Sequence, residues 1–212
     1  MTVTTALLGF AAVAAVLTVI PGLDTTLVLR SALTQSRRHA FVTALGINTG
    51  ALIWGAAAAV GAAALLAASE VAYRVVTIGG AAYMAYLGVT LVVKSFQRGR
   101  LERVATSVSE RAAPLWRAFL TGMWTNLLNP KIGVFYVATI PQFIPDGVSH
   151  LGMGLLLAGV HDVLGLTWLT GIIIAAHAAR RWLVHDRARR IIDRVAGTVL
   201  IGFGARLALE RH

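Results

Sequence analysis

The stretch Thr125-Asn126-Leu127-Leu128-Asn129-Pro130-Lys131 decides how this chain is read. It lies inside an apolar segment bounded by Arg117 and Pro141. Two amides, a proline and a lysine stand in the middle of a segment long enough to cross a bilayer. A charge at the bilayer centre costs roughly 3 kcal/mol on insertion scales, so such residues face a cavity or a partner. A proline within a helix removes one backbone donor and crowds the carbonyl four residues back, here that of Asn126. The sequence therefore predicts a free Asn126 carbonyl. It also predicts a helix that starts afresh at Pro130, with the positive end of its dipole near the midplane.

Composition sets the class. Of 212 residues, 57% are hydrophobic and only 13% charged, where a soluble domain carries about 25% charged residues. Mean hydropathy is +0.74. The expectation is an all-α integral membrane protein, with residues 1–212 forming one transporter domain. There is no cysteine, which excludes disulfides and thiol relays. The first apolar stretch, 3–29, is too long for a signal-peptide core and reads as a retained helix. A net charge of +10 would point to nucleic acid on a soluble protein. Here the charge gathers in short loops, where it is a topology signal, and no nucleic-acid partner is expected.

Charge-poor stretches of at least about 18 residues mark membrane helices. Six candidates fall near 3–29, 40–68, 71–93, 116–140, 151–176 and 191–209. Fifteen of the 19 Lys and Arg residues fall to the first, third and fifth connections, and the second and fourth hold only Arg74. The positive-inside rule then puts the basic loops in the cytoplasm and both termini outside, in a multi-pass protein of the inner (plasma) membrane.

A polar, basic stretch at 94–115 reads as a cytoplasmic linker between halves at about 1–93 and 116–212. Three helices per half give the halves opposite orientations. Pro21 and Pro130 interrupt the first helix of each half at similar depth. Interruptions at matching places in inverted halves point to a transport site at their interface. Small residues recur in segments two and three, at Gly46, Gly50, Gly55 and Gly61, then at Gly79, Gly80 and Gly88. They let helices approach closely in lipid, and they permit a homodimer without demanding one.

The candidate site residues are Pro21, Gly22, Asp24, Asn126, Asn129, Pro130, Lys131 and Asp162. Pro21 frees the Leu17 carbonyl, and Gly22 tolerates an irregular backbone. Asp24 follows this break, either as a cap of the second helix piece or as a carboxylate for an amine or a proton. Asp162 is the deepest acid, and carboxyls at such depth carry protons or pair with a cation. Its two readings are a proton carrier and half of a static pair with Lys131. His161 beside it reads chiefly as a hydrogen-bonded core residue. Asn126 and Asn129 are three apart and share a face. The polar notch, the lysine and the acids together suit a zwitterion.

Several further features complete a pattern: Pro21-Gly22 with Asp24, Arg37-Arg38 with Gly46, and Gly79-Gly80-Ala81-Ala82-Tyr83 with Tyr86-Leu87-Gly88. After them come Asn129-Pro130-Lys131 with Phe135, Pro141-Gln142-Phe143, Asp162 with Trp168, and Gly197 with Gly202. In this order and spacing the chain resembles the LysE/RhtB family of amino-acid exporters over nearly its whole length. The resemblance implies six transmembrane helices and export (efflux) of amino acids or related zwitterions, by an antiporter exchanging substrate for protons. It implies no cofactor. The family usually reads Pro-Gly-Pro in the first helix, and Leu23 stands in the third place here.

Two rival classes remain. Asp24, His161 and Asp162 offer ligands to an exporter of a metal or inorganic ion. Against this stand the missing cysteines, the lack of paired metal spacing and the cationic Lys131. An intramembrane enzyme would need a serine elbow, a zinc-binding His pair or a paired-aspartate motif. None is present, and no catalytic or metal residue is expected.

Overall fold

The computed structural model describes residues 1–97 and 114–176 and, beyond them, 191, 194, 195, 197–199, 201, 202 and 205. All regular structure among them is helical. Helix α1 (Val3–Val19) begins at Thr2, whose hydroxyl accepts the Thr5 amide at 3.2 Å. It stops ahead of Pro21, and α2 (Leu23–Thr34) leaves it at a bend of 53°. Then come α3 (Arg37–Ala68) and α4 (Glu70–Gln97). The second broken pair is α5 (Leu115–Leu127) and α6 (Pro130–Thr139), followed by a single 3-10 turn, Ile140–Phe143. Finally α7 (His150–Ile174) is capped by Ser149, whose hydroxyl accepts the Gly152 amide.

Five of the six expected segments are thus helical, and the first and fourth are each two helices. Most of the 94–115 linker and of the 191–209 segment lies outside the described residues. Among the described residues, two unbroken helices are long and apolar enough to cross a membrane, 37–64 and 150–174, and the bent α1–α2 pair makes a third. Large apolar side chains look outward, with Leu128 75% exposed, Leu8 69% and Val163 67%. Outward faces of this kind belong in lipid.

The basic residues assigned to loops stand on helices. Arg30 is in α2, Arg37 and Arg38 open α3, Lys94 is near the end of α4 and Arg117 is in α5. Arg74, assigned to the second connection, lies inside α4, and a single residue, Ser69, separates α3 from α4. The reason is length. At about 1.5 Å per residue, the 32 residues of α3 span about 48 Å. The hydrocarbon core is about 30 Å thick, so helix ends reach the water.

Helix α3 is the central post. A Cβ at Gly46 would run into the Phe119 carbonyl of α5, and one at Gly122 into the Thr43 carbonyl of α3. On another side Gly55 and Gly154 let α3 and α7 touch through Ala158 and Ala59. Gly61 and Gly79 depart from the packing expectation, since a Cβ at either would meet nothing within 4 Å.

The core is divided. One apolar cluster gathers α1, α3, α6 and α7 around Phe10, Leu17, Ala59, Phe135, Tyr136 and Leu157. The other joins α2, α3 and α7 through Val28, Ala44, Ile47, Leu169 and Ile173. Thr25, Asn126, Asn129 and His161 lie where residues of both clusters meet.

Candidate functional site

The two helix breaks meet. Lys131, the second residue of α6, sends its ammonium across to the carbonyl of Ile20, the last residue before Pro21, at 3.4 Å. Each end of this contact has an electrostatic logic. Lys131 stands at the positive end of α6, an unfavourable place for a cation, and its side chain reaches the negative end of α1. Gly22 leaves room for it, because a Cβ there would stand 3.2 Å from the ammonium nitrogen.

A second contact runs in the opposite sense. Asn126, near the end of α5, donates its side-chain amide to Asp24 Oδ2 at 3.0 Å. Asp24 lies in the first turn of α2, where the helix dipole favours a carboxylate. Its other oxygen, Oδ1, is buried with no hydrogen-bond partner, and so is Asn126 Oδ1. Unmet acceptors in an apolar interior are costly, and together they call for a donor.

The Asn126 main-chain carbonyl corrects the sequence reading. It is not free, because it accepts the Asn129 amide at 3.0 Å. The expectation assumed a helix running through the proline. Instead α5 ends at Leu127 and the chain folds back on itself for one turn. Asn129 caps the new helix, its Oδ1 accepting the Lys131 amide at 3.1 Å, with Pro130 in the first turn. That is the position where a missing N–H costs nothing.

These groups border one cavity of about 60 Å³. A water needs roughly 10–15 Å³ of such space, so there is room for about four. Gly22, Asp24, Asn126, Asn129, Lys131 and Asp162 all line it, from both broken pairs and from α7. Pro21 and Pro130 shape the breaks without lining it. Its apolar walls come from both clusters: Leu17, Ile20 and Ile132 on one side, Ile47 and Leu169 on the other. Asp162 is half-buried here, and it makes no ion pair with Lys131, contrary to the static-pair reading. Among the described residues no three His, Asp or Glu gather closely enough to hold a metal ion.

Comparison with known proteins places this cavity in context. The sequence matches the family described as LysE type translocator over residues 15–211. The chain belongs to the LysE translocator family. Among similar relatives, an uncharacterized membrane protein, YrhP, of Bacillus subtilis is 28% identical, covering 96% of this chain and 99% of the relative. A threonine efflux protein of Escherichia coli K12 is 29% identical over 90% and 91% of the two chains. A leucine efflux protein of Salmonella typhimurium is 26% identical over 89% and 88%. No solved structure matches.

In this LysE-family cavity and directly behind it, three residues were missed or set aside by sequence reasoning. Asn48 donates its side-chain amide to the Asp162 carbonyl at 3.3 Å, tying α3 to α7. Its signal was an amide in an otherwise apolar run, hidden among the packing glycines Gly46 and Gly50. Tyr136 reads from sequence only as a belt or core aromatic, and it proves to be core, with its hydroxyl meeting His161 Nδ1 at 2.9 Å. His161 itself, read as a core residue, is buried and hydrogen-bonded, and it also lines the cavity.

Proposed function

We propose that this LysE-family protein exports small neutral amino acids or related zwitterions by alternating access, in exchange for protons. One observation carries the reading. An ammonium and a carboxylate face one cavity at the meeting of two broken helices, and they do not pair with each other. A zwitterion supplies both missing partners. Its carboxylate takes Lys131 and the positive end of α6, and its ammonium takes the orphaned Asp24 Oδ1. The threonine and leucine efflux proteins among the relatives support this cargo class and the outward direction.

Asp162 is the proton carrier in this scheme. Its carboxylate lines the same cavity half-buried, with no cation against it, so proton and substrate share one space. The six spans arranged as two inverted halves supply the motion, with the basic loops in the cytoplasm and both termini outside.

The test is transport in proteoliposomes, using labelled L-threonine and L-leucine with and without an imposed pH gradient. Wild-type protein is expected to move at least one of them, faster with the gradient. Asp162→Asn is expected to lose the gradient effect while still exchanging amino acid for amino acid. Asp24→Asn is expected to lose both. Gradient-independent wild-type transport would remove the proton from the scheme, and failure to move either amino acid would remove the cargo.

A further inference from the structure

We propose that His161 is a substrate-binding residue of this cavity, held by Tyr136 so that its Nε2–H donates to a carboxylate oxygen of the transported molecule. The inference rests on the amino-acid reading above and adds a residue to it. The phenolic proton of Tyr136 has few places to go. Tyr136 is fully buried, and its hydroxyl has one partner, His161 Nδ1 at 2.9 Å. Were the ring to donate from Nδ1, the phenolic hydrogen would be stranded in an apolar interior, at the cost of an unmade hydrogen bond. The economical arrangement is Tyr136 O–H donating to Nδ1. The ring's own hydrogen then sits on Nε2, since the hydrogen bond made by one imidazole nitrogen sets the state of the other.

The ring is also fixed in orientation. Phe135 stands edge-on to it with centroids 5.7 Å apart, and Tyr136 lies tilted against it at 5.6 Å. Behind them Phe10 packs on Phe135 at 5.9 Å. This aromatic wall belongs to the cluster of α1, α3, α6 and α7 and leaves the imidazole with its remaining edge at the cavity. Nε2 has no protein partner there, although the residue as a whole is buried. A donor held rigidly at the border of a polar cavity, with nothing to donate to, is the complement of a ligand oxygen.

The class of ligand oxygen follows from the other donor. A carboxylate has two acceptor oxygens, and Lys131 already spends one N–H on the Ile20 carbonyl. An ammonium and a neutral N–H on separate helices, α6 and α7, grip the two oxygens better than a single cation does. Two donors on two helices also discriminate. A molecule lacking the carboxylate leaves the His161 N–H and the remaining Lys131 N–H groups without an acceptor, which is how polar sites reject an analogue.

The experiment compares L-threonine with 1-amino-2-propanol, the same skeleton without its carboxylate, as competitors of labelled L-threonine transport. Wild type, His161→Phe, His161→Gln and Tyr136→Phe are run side by side. His161→Phe is expected to raise the half-saturation concentration for L-threonine by roughly tenfold or more, while the apparent affinity for 1-amino-2-propanol stays unchanged. His161→Gln keeps a side-chain N–H and is expected to recover part of the discrimination. A merely structural histidine would lower the maximal rate or the amount of folded protein and leave the ratio between the two molecules untouched. That result would overturn the proposal.

A spectroscopic arm stands apart from the cargo. In protein labelled with ¹⁵N-histidine, His161 is one of six histidines, and its signals are those lost in His161→Phe. They are expected to show an unprotonated Nδ1 and a protonated Nε2, becoming a mixture in Tyr136→Phe. A proton on Nδ1 would sink the proposal whatever the transport result. If wild type moved no amino acid, the cargo reading and the carboxylate role would fall together, and the nitrogen spectrum would still decide the tautomer.

Discussion

The two helix breaks differ in how they are closed. At the second, between α5 and α6, the main-chain turn is closed by local residues. Asn129 turns its amide back to the Asn126 carbonyl, caps α6 with its side chain and hands over to Pro130. At the first, between α1 and α2, Gly22 is the cap position and provides no side-chain bond. The Ile20 carbonyl there is met by Lys131 from the other half of the chain. One break is completed by its own residues and the other by its partner. In a transporter, the self-sufficient break is suited to hold its shape through the cycle. The dependent one can change when its partner lets go.

This contrast can be broken most severely at the lysine. Lys131→Met removes the contact between the breaks and the cation of the cavity together. A site built to bind a charged group rejects its ligand by about 10⁴–10⁵-fold at most when its polar partner is missing, so amino-acid transport in proteoliposomes is expected to fall more than about 100-fold. A rate within a few-fold of wild type would mean that the lysine is a bystander.

A milder break is Gly22→Ala. The new methyl would lie 3.2 Å from the ammonium, tight enough to push a flexible side chain aside. About a tenfold loss in transport is expected, with unchanged protein in the membrane fraction, since this residue has no neighbour to crush apart from that lysine tip. The smallest change sharpens the other side of the comparison. Asn129→Ala removes the cap of α6, worth about 1 kcal/mol. The thermal midpoint in detergent is expected to drop by about 2–4 °C. A Gly22→Ala midpoint that falls further would reverse the assignment of which break holds the fold.

Much of this was legible in the sequence because lipid is an intolerant solvent. Asn126, Asn129, Pro130 and Lys131 break an apolar run, and in a bilayer such a break demands a reason. The same rule found Pro21, Gly22 and Asp24. What it could not give was the partner of each group. Lys131 and Ile20 lie 111 residues apart, and no spacing along the chain says that the lysine goes to a carbonyl rather than to Asp162. The Asn126 carbonyl was misread because the proline rule assumes a continuous helix, whereas two residues at 128–129 outside any helix let the chain satisfy itself. Asn48 was overlooked because its role is to hold a backbone carbonyl on another helix, which leaves no mark on its own neighbours. The role of Tyr136 was invisible for a related reason. An aromatic residue in an apolar helix has the same appearance in sequence whether its hydroxyl is idle or fixes a histidine.

The contact between α3 and α5 has a consequence for inheritance. At Gly46 and Gly122 the space for a side chain is taken by a main-chain carbonyl of the opposite helix, and a carbonyl cannot swing aside as a side-chain tip can. Every amino acid one nucleotide away from a glycine codon carries a Cβ. Any missense change at either position therefore meets the same obstruction, and a compensating second mutation has nothing to shorten. A saturation library selected for function is expected to return glycine alone at these two codons, while Gly61 and Gly79, which face open space, accept substitution.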